Sequence, residues 1–169
     1  RSTALAFLLG GNWSKGAFPK GHSKTLSFFD VRRAYFNAEI GHPTYIELPE
    51  EDQSPGMVGR LEKCLYGTRA ASGRWEAKYT SVFVANGFMQ GLSTPCTFSH
   101  RTRDVKVVVH GDDFTALGEC VELNWFEEIM AKSFEVKLRG RLGEGRGDLR
   151  EMLILNRIVR WTGHSVTYE

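Results

Sequence analysis

A chain of 169 residues with 41% hydrophobic and 25% charged residues has the material for one domain with a proper core. No uninterrupted apolar run approaches the roughly 20 residues of a membrane span, and three cysteines without paired short spacing argue against a disulfide framework and for a reducing, intracellular setting. Lys and Arg exceed Asp and Glu by only 22 to 20, a net charge of +2, so any electrostatic partner must be read from how the charges are distributed.

Residues 1–9 read as the remnant of a helix. Leu5 to Leu9 is too short for a secretory signal, and the start on Arg1 leads us to expect a piece of a longer polypeptide. Gly10 to Gly21 reads as a loop punctuated by Gly16 and Pro19. A strand follows, through Leu26-Ser27-Phe28-Phe29 into Asp30. Thr44 to Leu48 alternates as a short strand and Met57 to Leu65 as a weaker one, together a possible hairpin. Ala70 to Asn86 is the best helix: Trp75, Tyr79, Val82 and Phe83 share one apolar face, and Gly87 is placed to close it in a left-handed conformation.

Phe98, then Lys106 to His110, then Phe114 to Leu117 supply strand, turn and strand around Gly111-Asp112-Asp113. Glu119 to Lys132 forms a second helix, expected to bury Val121, Trp125, Phe126, Ile129 and Met130. Residues 137–151 are glycine-rich but lack the spacing of a phosphate-cradling loop, so a flexible connection is expected there. Leu153 to Trp161 reads as a closing strand. From Val136 to Arg160 the basic residues Lys137, Arg139, Arg141, Arg146, Arg150, Arg157 and Arg160 outnumber Glu144, Asp148 and Glu151. That end is either a phosphate-facing surface or a solvated face.

The chemistry concentrates in the acids. Asp30 ends one apolar run, and Asp112 and Asp113 sit at the turn between two others. Magnesium is a hard ion that takes oxygen ligands, and two such ions held about 3.5–4 Å apart can activate a hydroxyl and stabilise a leaving pyrophosphate. Adjacent strand residues point to opposite faces, so Asp112 ranks as the first ligand of the tandem pair and Asp113 as the second. The bland alternative is that Gly111-Asp112 is only a hairpin turn, where both residue types are favoured for backbone reasons. Cys96, His100, His110 and Cys120 have the residue types of a zinc site but not its spacing.

The strings FDVRRAYF (29–36) and VVVHGDDF (107–114) resemble motifs A and C of reverse transcriptases. Between them, YIELPEE (45–51) and GRLEKCLYGTRAASGRW (59–75) are similar to segments of copia-type LTR retrotransposon enzymes, and the four blocks stand in the family's order. The resemblance runs from about Thr25 to about Trp161. It implies an α+β fold, a polymerase palm-like antiparallel sheet with helices packed on one face and partial fingers. The chain would be a single partial domain over residues 1–169, without N-terminal fingers, thumb or RNase H.

The implied activity is RNA-directed DNA synthesis with Mg2+ or Mn2+. Asp30, Asp112 and Asp113 match the family's catalytic triad, with the Val31 carbonyl as a further metal ligand. Tyr35 matches the steric gate whose ring would clash with a ribose 2′-hydroxyl; from composition alone it is a packing aromatic. Arg69 aligns with a family lysine and is a nucleotide contact by resemblance. Arg139, Arg141 and Arg157 are the expected nucleic-acid contacts. Partners would be an RNA or DNA template, a primer, deoxynucleoside triphosphates and the rest of the polyprotein, integrase and RNase H included. The setting would be intracellular, a cytoplasmic particle or the nucleus, with no membrane.

The chain departs from the family in places. Ala70 and Ser72 replace a usual glutamine and proline, and His110 and Gly111 replace a tyrosine and a hydrophobic residue. An alanine side chain cannot hydrogen-bond a nucleotide. Two readings follow, a working reverse transcriptase fragment and a decayed copy that folds and binds nucleic acid without catalysis. A different two-metal palm enzyme, such as a nucleotide cyclase, is disfavoured by the Leu-Tyr-Gly block.

Overall fold

The computed structural model describes residues 24–154, 157–163 and 166–168, so the readings made for residues 1–21 lie outside the described residues. Two compact units are present, one of Arg33–Val82 and one holding the residues on either side of it.

The flanking unit is built on a six-stranded antiparallel sheet of order β4-β5-β6-β7-β1-β8. Its strands are β1 (Lys24–Val31), β4 (Met89–Gln90), β5 (Thr97–His100), β6 (Val105–His110), β7 (Asp113–Glu119) and β8 (Val136–Leu142). β1 lies inside the sheet between β7 and β8, and Thr25 to Phe29 are buried without interruption. A strand covered on both faces reads as a continuous apolar run, which is how this one looks in the sequence.

Helix α2 (Cys120–Ser133) lies on one face, its Phe126 ring meeting Phe29 edge-on at 5.5 Å. Phe83, in the last turn of helix α1 (Ala71–Ala85), joins the same cluster against Phe88, Phe98, Phe114 and Phe126. The expected left-handed terminator is there, Gly87 at φ 86°.

The other face is not bare. A three-stranded sheet of β9 (Glu151–Ile154), β10 (Arg157–Trp161) and β11 (Val166–Tyr168) packs Val159 and Val166 against Leu26, Phe28, Leu117 and Leu142, with Met152, Ile154 and Trp161 alongside. The single closing strand expected at Leu153–Trp161 is therefore a hairpin with a third strand.

Two expectations are corrected here. Residues 137–151 are not a flexible connection throughout: β8 pairs with β1 from Leu26↔Leu142 to Val31↔Val136. Ladder hydrogen bonds to the interior strand β1 outweigh the entropy penalty of glycine. In α2, Val121 is 72% exposed, whereas Leu123, which the sequence reading omitted, is fully buried. The two lie about 200° apart round the helix, so only one can face the sheet.

Unit Arg33–Val82 holds a short core of Ala38, Ile40, Cys64 and Ala71, with Tyr35 and Leu61 packed on it. The expected hairpin survives as two residues a side, β2 (Tyr45–Ile46) and β3 (Gly59–Arg60). Burial pushes the Cys64 thiol up while Arg74 pulls it down, and its Sγ donates to the Glu39 carbonyl at 3.6 Å.

Candidate active site

The tip of the β6–β7 hairpin is a two-residue loop, since His110 and Asp113 are register partners and only Gly111 and Asp112 lie between them. Gly111 takes φ 65° and Asp112 is not among the left-handed residues, the pattern of a type II′ turn with glycine first. A β-carbon there would meet nothing within 4 Å, so the backbone conformation and not crowding selects glycine.

β1 brings its own acid to this tip. Asp30 is the register partner of Asp113, and the Val31 N–H donates to the Asp112 carbonyl at 2.9 Å, tying the end of β1 to the turn. Direct cross-strand partners share a face, so Asp30 and Asp113 share the face of Leu26 and Leu117, opposite α2. Both are half-buried and Asp112 is exposed.

The next strand adds cations. On β8, Lys137 is the register partner of Asp30. The ladder then slips: Phe29 pairs with Leu138 and Phe28 with Gly140, which leaves Arg139 as the extra residue of a β-bulge. The Arg139 guanidinium donates to Asp113 Oδ1 at 3.2 Å. Burial raises the Asp113 carboxyl above its ordinary value, Arg139 pulls it down, and the charges of Asp112 and Asp30 push it up again.

The donor set is oxygen throughout, which suits a hard divalent cation. The fit is one of donor type and strand register: among the described residues no three His, Cys, Asp or Glu side chains converge as a metal cage. Asp113 is turned toward Arg139. The imagined zinc set of Cys96, His100, His110 and Cys120 is likewise not brought together.

Of the other expected contacts, Arg141 is engaged by α2, donating to Glu127 at 3.1 Å and to Asn124 at 2.6 Å. Arg157 lies exposed on β10. Tyr35 and Arg69 belong to unit Arg33–Val82, Tyr35 half-buried in a 3₁₀ turn and Arg69 exposed before α1. Lys137 was read from the sequence only as one of the basic residues of the C-terminal part; its place opposite Asp30 has no sequence signal, because register across β1 and β8 is a tertiary property.

The site thus sets Asp112 in a two-residue turn, Asp113 at the start of β7 and Asp30 one residue before the end of β1. The chain belongs to the reverse transcriptase (RNA-dependent DNA polymerase) family, whose model matches residues 17–147. It is 27% identical over 115 residues to the retrovirus-related Pol polyprotein from transposon TNT 1-94 of Nicotiana tabacum, a match covering 64% of this chain and 9% of that protein. Its fold is similar to that of an apo telomerase from Candida tropicalis truncated from the C-terminal domain. That alignment has a TM-score of 0.55 at 11% identity and covers 99% of this chain and 38% of the telomerase chain.

Proposed function

We propose that the chain is the central part of a copia-type reverse transcriptase, a palm with incomplete fingers, that adds deoxynucleotides to a primer. The observation that carries this reading is the pairing of Asp30 with Asp113 across β1 and β7, beside the Asp112 carbonyl that accepts the Val31 N–H. Asp30 and Asp112, assisted by Asp113 and the Val31 carbonyl, are the groups that would hold Mg2+ or Mn2+. Such ions supply activation of the attacking hydroxyl and charge neutralisation of the leaving pyrophosphate. The protein's own share is positioning: the β1–β7 ladder keeps two carboxylates on one face before any substrate arrives.

Tyr35 checks the incoming sugar, Arg69 contacts the nucleotide, and the basic region of Arg139 and Arg157 faces phosphate. Arg141 would join that surface from its place on Glu127 and Asn124, as Arg139 would from Asp113. Template, primer and deoxynucleoside triphosphates are the partners, with integrase and RNase H elsewhere in the parent polyprotein and an intracellular particle or nucleus as the setting.

A second reading, a copy that folds and binds nucleic acid without catalysis, is favoured by Ala70, which has no side-chain hydrogen-bonding group where the family carries glutamine. Primer extension on an RNA template with Mg2+ or Mn2+ separates the two. Metal-dependent extension that vanishes in Asp112→Asn is the expected result; salt-sensitive binding with no extension at any metal concentration establishes the second reading instead.

A further inference from the structure

The Leu-Tyr-Gly block has a shape of its own. Leu65 accepts through its carbonyl from the Thr68 N–H at 3.1 Å and from Thr68 Oγ1 at 2.7 Å. Tyr66 and Gly67 are the corner residues, and Gly67 takes φ 88°. A left-handed third residue is the pattern of a type II turn, which leaves Tyr66 at the outer corner.

The 3₁₀ turn Ala34–Asn37 carries Tyr35 and is held as firmly. Phe36 N–H donates to the Arg33 carbonyl at 2.9 Å, Ala38 N–H to Tyr35 at 3.1 Å, and Asn37 Nδ2 to Arg33 and Ala34 at 3.2 and 3.1 Å. The two turns are stitched together by the Cys64 N–H on the Ala38 carbonyl at 2.9 Å and by the Glu39↔Lys63 bridge.

This framework sets the Tyr66 ring against Tyr35, centroids 4.5 Å apart and planes inclined at 69°. Phe36 meets Tyr66 from another side at 6.1 Å and 66°. Tyr66 is 48% exposed, so its ring is poorly accounted for as core packing alone. Edge-to-face geometry gives a ring pair a preferred orientation that simple apolar contact does not.

We propose that Tyr66 is a positioning residue for sugar discrimination: its ring fixes the orientation of Tyr35, and preference for deoxyribose over ribose depends on both. The inference rests on the reading of Tyr35 as the sugar gate. A ring free to swing at Tyr35 leaves room for the 2′-hydroxyl part of the time, so ribonucleotide use rises while deoxynucleotide use holds.

The test is the ratio of deoxynucleotide to matching ribonucleotide incorporation, kcat/KM for each, in primer extension with Tyr66→Ala, Tyr66→Leu, Tyr66→Phe and Tyr35→Ala. The ratio is expected to fall about three- to tenfold in Tyr66→Ala, the scale of one aromatic pair. It falls likewise in Tyr66→Leu, which keeps apolar bulk and protects the fold, and returns to the native value in Tyr66→Phe, which keeps the ring. Partial unfolding lowers both rates together and leaves the ratio in place, so the ratio reports positioning. A native ratio in Tyr66→Leu, with a lowered ratio in Tyr35→Ala, overturns the inference and leaves the gate standing. An unchanged ratio in Tyr35→Ala, or no incorporation by the native chain, overturns the gate and this inference with it.

Discussion

Asp113 answers to opposed influences, burial and two acids on one side and a guanidinium on the other. Burial, with Asp112 and Asp30 beside it, raises its carboxyl, and the Arg139 guanidinium moderates the rise. A carboxyl whose folded pKa is raised binds its proton more tightly in the native state than in the unfolded one. Stability then falls as pH climbs from the unfolded value through the folded one, and the full cost is present above it. Asp113→Asn is expected to be more stable than the native chain at pH 7 and to lose that part of the acid-side slope. Denaturant unfolding at several pH values checks it; a native slope retained in the variant removes the account of Asp113. The same comparison in Arg139→Gln should steepen the slope, because the guanidinium that favours ionisation of Asp113 is gone.

Among the elements, β8 shows what the sequence concealed. β1, the β6–β7 hairpin and both helices were legible because each is announced by local pattern: an apolar run, alternation about Gly-Asp-Asp, a helical stripe. β8 has no such pattern. Its composition, with Arg139, Gly140 and Arg141 in a row, reads as linker, and its strand identity comes from hydrogen bonding to β1. The β-bulge at Arg139 is equally hidden, although it aims the guanidinium at Asp113. Of the candidate site, the three acids could be read from the sequence, and the two cations facing them could not be given that role. Gly140 is the residue the bulge requires: it takes φ 142°, and an added β-carbon would lie 2.7 Å from Leu149 Cδ1. Gly140→Ala should cost about 1–3 kcal/mol, read as a lowered denaturation midpoint. A midpoint equal to the native one would mean that the bulge is not required where it stands.

At the scale of the whole molecule, the unit on either side of Arg33–Val82 is three layers deep: helix α2, the six-stranded sheet, and the small sheet of β9, β10 and β11. Both faces of β1 are therefore covered, and the Val31 N–H on the Asp112 carbonyl ties its end to the β6–β7 turn. That cover surrounds a ladder in which acids more than eighty positions apart in the sequence, Asp30 and Asp113, are register partners. The opposite end of the same sheet offers a control, because Asp104 stands just before β6 and is ion-paired with Lys24 at the start of β1. Binding of Mn2+ to the chain, followed by electron paramagnetic resonance, addresses the shared site without any need for turnover. The account predicts saturable binding that weakens at least about tenfold in both Asp30→Asn and Asp112→Asn, the loss of one charged ligand, and stays unchanged in Asp104→Asn. Equal Mn2+ affinity in the native chain, Asp30→Asn and Asp112→Asn would contradict it.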